Sequence, residues 1–122
     1  MTRLVRTDGA RFVIKRDSAA SDWIARATGD PELREARLAH AAPRLPAPAR
    51  LPHVGVARDG DRIALLMPDL ADVLLTWEQA VEVDVLNRVL AALAALHREP
   101  WFEQLDAGFP WCDLGLRLNL LT

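Results

Sequence analysis

Lysine is almost missing from this chain. Of its 122 residues, 15 are basic, and all but Lys15 are arginine. With so much alanine and leucine alongside, the bias resembles the codon habit of a GC-rich genome, and the single lysine marks a position where arginine was not taken. Cysteine is as scarce. Cys112 alone can form no internal disulfide and supplies too few thiolates for a zinc or iron–sulfur centre. That fits a reducing compartment and a structural role for the residue. A basic excess is absent too: the net charge is −2 and the pI about 5.9, which leaves no electrostatic footprint for a nucleic-acid backbone or an anionic membrane. Nucleic acid and membrane are therefore not expected partners. No apolar run approaches the ~20 residues that span a bilayer, and Met1 to Arg6 lacks the apolar core of a secretory signal, so the expected location is the cytoplasm.

What remains is an ordinary globular composition, 51% hydrophobic and 26% charged, at about the length of one domain. Two β-rich runs, Arg3 to Thr7 and Ala10 to Arg16, flank Asp8-Gly9, a dipeptide suited to a type I′ hairpin. The pattern returns as His53 to Arg58, Asp59-Gly60, and Asp61 to Met67. Four strands in two hairpins can form one antiparallel sheet. Between them, Ser18 to Thr28 carries Trp23, Ile24 and Ala27 at helical spacing before Gly29. Asp30 then suits an N-cap, with Pro31 at the first helical position and Glu32 favouring the dipole, and this stronger helix runs through Leu33, Ala36, Ala39 and His40 to Pro43. Four prolines in residues 43–52 predict an extended connector. Thr76-Trp77-Glu78-Gln79 fits a capping box. It leads into a long amphipathic helix marked by Leu86, Val89, Leu90, Leu93, Leu96 and His97, ending before Pro100. Residues 101–122 hold Trp101, Phe102, Phe109, Trp111 and, from position 114 onward, the five leucines Leu114, Leu116, Leu118, Leu120 and Leu121, an apolar surface in need of a partner. The order predicts an α+β fold, an antiparallel sheet with helices on one side or end.

One constellation carries chemistry. Lys15 closes the strand Phe12-Val13-Ile14-Lys15, and Glu35 follows 20 residues later inside the capped helix. A strand-end lysine paired with a helical glutamate leaves its ammonium free to meet phosphate oxygens, and a compact charge on a flexible stem suits that sharing better than a guanidinium. Glu32 competes with Glu35, being three positions away on nearly the same face. Glu35 is preferred because a glutamate so near the helix start is already accounted for by the dipole.

Val13-Ile14-Lys15, Arg34-Glu35-Ala36, the strand Leu65-Leu66-Met67 running into Pro68-Asp69-Leu70, and the helix end Leu93-Ala94-Ala95-Leu96-His97, in that order, resemble the aminoglycoside phosphotransferase family of small-molecule kinases with a protein-kinase-like fold. The resemblance covers residues 3 to 100. It implies an N-terminal lobe over residues 1–70 and the start of a helical C-terminal lobe over 71–122. It also implies ATP as ligand: Lys15 on the α- and β-phosphates, Glu35 orienting it, Val13 and Leu65 sandwiching the adenine, and the hinge backbone of Met67, Pro68, Asp69 and Leu70 hydrogen-bonding it. Magnesium would accompany ATP only if the catalytic lobe is present. The phosphate acceptor, an unknown small molecule, is not readable here.

The departures from the family matter as much. Phosphoryl transfer in this fold uses a glycine-rich cover, a catalytic-loop aspartate with a following asparagine, and a later metal-binding aspartate. The sequence opens at what would be the second strand, and the expectation is a lobe cut before its catalytic loop. His97-Arg98-Glu99 with Gln104 imitates the catalytic-loop spacing, but with acid and amide each one methylene too long for a placed base and metal ligand. Asp106-Ala107-Gly108 follows too closely to be the metal-binding turn. No catalytic or metal residue is assigned.

Plainer readings stand beside these. Lys15 can be a solvated strand-end charge. His40, His53 and His97 share no ligand spacing and read as surface or helix-end residues, the four tryptophans as packing, and Asp59-Gly60-Asp61 as a turn. The rival to a nucleotide-binding lobe is a non-catalytic interaction module, a degenerate gene product that uses its apolar tail, residues 101–122, for self-association or to meet a missing lobe.

Overall fold

In the computed structural model, residues 2–76, 78–113, 115 and 118 are described. The chain is α+β, as its element order implies. Strands β1 (Thr2–Val5), β2 (Arg11–Ser18), β3 (Gly55–Asp59) and β4 (Arg62–Pro68) form one antiparallel sheet in the order β1-β2-β4-β3. Each hairpin brings its own partners together, and the central β2–β4 pairing joins the two.

Both hairpins form, but neither uses a type I′ turn, which needs positive φ at two successive residues. In the first, Gly9 is positive (φ 84°) and Asp8 is not; the connection spans residues 6–10, closed by Arg6 N–H on the Ala10 carbonyl at 2.9 Å. In the second, Asp59 pairs with Arg62, so the two turn residues are Gly60 and Asp61 rather than Asp59 and Gly60, with positive φ at Gly60 alone.

Side chains on a strand alternate between faces, and the register decides what shares the face of Lys15. Val13 lies opposite Met67, Lys15 opposite Leu65, and Asp17 opposite Ile63. Helices α1 (Trp23–Ala27) and α2 (Arg34–Ala41) cover this face. The core is Ala25, Leu33, Ala36, Ile63 and Leu65, with Val56 against it. Leu65, with no exposed surface, is its centre.

The helix starts differ from the sequence expectation. Only residues 23–27 of the run from Ser18 to Thr28 are helical, with Asp22 as N-cap accepting from Ile24 and Ala25 N–H. Trp23 and Ala27 face solvent, Ile24 is half-buried and Ala25 is the buried residue, so of the predicted Trp23, Ile24 and Ala27 only Ile24 turns toward the packing side. Helix α2 begins at Arg34, not after Asp30. Leu33 takes a left-handed φ of 59°, which breaks the helix before Arg34 and turns its side chain into the core, 5% exposed. Asp30 still caps, from further back: its Oδ2 accepts the Arg34 N–H at 2.8 Å. Residues 43–52 form a connector without helix or strand, as expected, but it is not extended throughout: it turns at 46–49, where the Ala49 N–H donates to the Pro46 carbonyl at 2.9 Å.

The long helix α3 is Val83–Arg98. It does not grow from Thr76. Gln79 Oε1 accepts the Thr76 N–H at 2.8 Å, one half of a capping box, but this closes a local turn, and Trp77 lies outside the described residues. The predicted apolar face exists but is largely uncovered among the described residues: Leu86, Val89, Leu90 and Leu93 are each about half exposed, Leu96 is half-buried, and Ala95 is the residue that is buried.

A 3₁₀ turn at Trp101–Gln104 leads the chain back onto α2. Gln104 brackets the Arg44 backbone, accepting its N–H at 2.8 Å and donating to its carbonyl at 2.9 Å. Asp106 takes both oxygens to Arg37 at 2.9 and 3.2 Å, and Arg34 Nε donates to the Pro110 carbonyl. Phe109 is buried beneath the Arg37 guanidinium and against Trp111. Tryptophan as packing therefore holds in part: Trp101 meets Phe102 and Trp111 edge-on, while Trp23 and Trp111 remain more than half exposed. Leu114, Leu116, Leu120 and Leu121 lie outside the described residues. Among the described residues, no helix is long and apolar enough to cross a membrane.

Candidate functional site

The site is built on the junction of β2 and α2. Strand alternation directs Lys15 to the helix-covered face, and the late start of α2 places Glu35 in its first turn, above that face. Lys15 Nζ donates to Glu35 Oε2. Glu32, the alternative, is three residues earlier, outside the helix, and pairs instead with Arg37 at 3.2 Å.

The other oxygen of Glu35 is also held. His53 Nε2 lies 3.2 Å from Glu35 Oε1, and the His53 side chain is 6% exposed. His53 is thus neither a surface nor a helix-end residue, correcting the sequence reading. It enters between Pro52, whose φ the ring restricts, and Val54, whose N–H binds the Leu66 carbonyl at 2.8 Å. Nothing local in the sequence marks this role, since 18 residues and a proline-rich crossing separate His53 from Glu35.

Burial is the largest single influence on the Glu35 carboxyl and raises its pKa. Hydrogen bonds from Lys15 and His53, with the charges behind them, together outweigh it, and the net shift is downward. Glu35 therefore holds its charge more firmly than an ordinary carboxylate.

Next to the pair opens a cavity of about 510 Å³ between β2, α1 and α2, with Lys15 and Glu35 in its wall beside Asp17, Thr28, Asp30 and Ile63. It runs from Lys15 toward the Asp17–Ile63 end of the face. The predicted base-binding residues lie the other way: Val13 and Met67 sit one register step beyond Lys15. Leu65 is a core residue with no exposed surface, so it supports that end of the face and offers no contact to a ligand, correcting its assignment as one side of an adenine sandwich.

At the predicted hinge, Pro68 has no N–H, and the Asp69 N–H already donates to the Arg11 carbonyl at 3.0 Å. The Asp69 side chain accepts from Ala71 N–H at 3.1 Å and pairs with Arg3 at 3.5 Å. Met67 is itself paired with Val13 in the β2–β4 ladder, and the Leu70 carbonyl accepts from Val73 and Leu74 N–H at 2.9 and 3.1 Å, so of the hinge donors it is the Leu70 N–H that is left to meet a base edge. Among the described residues, no three His, Cys, Asp or Glu side chains are grouped to hold a metal ion. The catalytic-loop imitation is accounted for structurally, because Gln104 clamps Arg44 and Asp106 clamps Arg37.

Comparison with family models, curated proteins and solved structures finds no match to this chain.

Proposed function

We propose that this chain is the nucleotide-binding portion of an ATP-dependent small-molecule phosphotransferase resembling the aminoglycoside phosphotransferases, and that alone it binds ATP without transferring phosphate. The observation that carries this reading is the Lys15–Glu35 pair, formed by a strand lysine and a helical glutamate across one face of a four-stranded antiparallel sheet. A lysine has three N–H donors, so with one on Glu35 it keeps others for the α- and β-phosphates. Its side chain is 31% exposed, enough to be reached. The cavity on the Asp17 side carries Asp17, Asp22, Asp30 and Glu35 against Lys15 and Arg34, an excess of negative charge that disfavours a polyphosphate, so the phosphates would approach Lys15 from the Val13–Met67 side. Met67 would then meet the base, with the Leu70 N–H at its edge, while Val13, only 7% exposed, would back the site more than touch the ligand. The residues present offer no general base or metal carboxylate in the pattern that transfer requires.

Thermal unfolding with and without Mg-ATP tests this. Ligand at about a hundred times its Kd stabilises the native state by about 2.7 kcal/mol, several degrees in Tm for a chain of this size. The wild-type chain should show that rise and Lys15→Ala should lose most of it. An equal response in the two proteins contradicts the role of Lys15.

A second reading, a non-catalytic interaction module, is favoured by the half-exposed apolar face of α3 and by the exposure of Phe102, Trp111 and Leu118. It predicts concentration-dependent self-association in light scattering. A monomer across the accessible range counts against association through this surface.

A further inference from the structure

We infer that His53 is a positioning residue for the Lys15–Glu35 pair, fixing the Glu35 carboxylate so that one oxygen faces the lysine while the other stays satisfied when the ammonium turns to a phosphate. The inference rests on the reading of Lys15 as a phosphate-binding cation, but its first test does not.

Three observations carry it. His53 Nε2 and Lys15 Nζ occupy different oxygens of one carboxylate, so they hold Glu35 together instead of competing for it. The His53 ring is almost wholly buried, and its backbone is pinned on both sides, by Pro52 and by the Val54–Leu66 hydrogen bond. Its remaining nitrogen, Nδ1, is buried without a hydrogen-bond partner among the described residues.

The last point fixes the tautomer of the neutral ring, and an imidazolium would donate from Nε2 as well. A proton on Nδ1 would leave a buried N–H unsatisfied and would aim the Nε2 lone pair at a carboxylate oxygen. A proton on Nε2 donates to Glu35 and leaves only a lone pair unmet, the smaller loss. His53 is therefore a donor to Glu35. A carboxylate with two acceptor oxygens and one donor can rotate about its last torsion, which is broad; with two donors on opposite oxygens it cannot do so without breaking one bond. When the ammonium shifts toward a phosphate, Glu35 would otherwise become a half-buried charge with weakened compensation. The imidazole bond persists and holds the carboxylate for the lysine's return.

The scarcity of lysine makes this measurable, because lysine labelled with ¹⁵N at the side-chain nitrogen gives one ammonium signal, from Lys15. In the ligand-free protein the inference predicts that His53→Phe speeds hydrogen exchange at the Lys15 ammonium by about three- to tenfold, the range expected for loss of one modest hydrogen bond. His53→Gln, whose amide N–H reaches about as far as Nε2, should restore most of the protection, and Glu35→Gln should abolish it. A merely structural role would leave Phe and Gln variants alike in exchange while lowering the stability of both. Unchanged exchange in His53→Phe, or failure of His53→Gln to rescue it, overturns the inference; if His53→Phe does not fold, the Gln variant against wild type decides.

A Mg-ATP titration separates the two readings. Saturable binding that weakens several-fold in His53→Phe and recovers in His53→Gln supports both. Absence of binding in the wild type refutes the nucleotide reading and leaves the ammonium exchange to decide the role of His53.

Discussion

Glu35 is a half-exposed carboxylate that nonetheless stays charged, because donors from a strand and from a connector converge on it. The sign of its pH dependence follows. Its pKa in the folded chain is lowered from 4.5, so its contribution to stability is fully present above the unfolded pKa and is lost as pH falls through the folded value. Glu35→Gln keeps the shape but does not titrate. Urea unfolding of the two proteins should show a stability difference in favour of the wild type near neutrality that shrinks as pH drops below 4.5. A difference independent of pH would mean that Glu35 charge contributes nothing. Residue identity shows how far the site was legible. Lys15 and Glu35 could be named because each lies in a strongly patterned element with a 20-residue spacing between them. His53 could not, because its role depends on where a proline-rich crossing returns over the sheet. Leu65 was misassigned because strand alternation indicates a face but not what covers it.

At the scale of elements, the hairpins, α2 and α3 were legible from local signals, and their boundaries were not. Leu33 shows why. Asp30-Pro31-Glu32 has the chemistry of a helix start, but burying the Leu33 side chain under α2 favours a left-handed backbone there, and core burial outweighs the strain of about 1–2 kcal/mol that such a φ costs. The helix begins one residue later, and Asp30 caps it from outside. Asp30→Ala removes the acceptor of the Arg34 N–H and a partner of its guanidinium, so it should cost about 1–2 kcal/mol, measured by denaturant unfolding. A loss within experimental error would show that Asp30 is not the functional cap. Thr76–Gln79 is the opposite case. The local turn forms with its side-chain hydrogen bond, but helix formation needs more than its first turn to be favourable, and the helix starts at Val83.

The whole molecule divides its apolar surface unequally. One face of the sheet is covered by α1 and α2, and the segment from Gln104 to Pro110 is fastened to α2 and Arg44 by arginine, aspartate and glutamine contacts. The α3 face, by contrast, is largely uncovered among the described residues, although periodicity marked its apolar positions correctly. Periodicity reports which side of a helix is apolar; it does not report whether anything packs there. The result is a finished sheet-and-helix unit that carries the Lys15–Glu35–His53 network beside an open helical face.

The central claim is that Lys15 meets the phosphates of a nucleotide, and the Lys15 ammonium resonance tests it most directly. Titration with Mg-ATP should move that signal saturably, titration with adenosine should leave it in place, and Glu35→Gln should weaken the response. A Lys15 signal that ignores ATP, or that moves equally with adenosine, contradicts the claim.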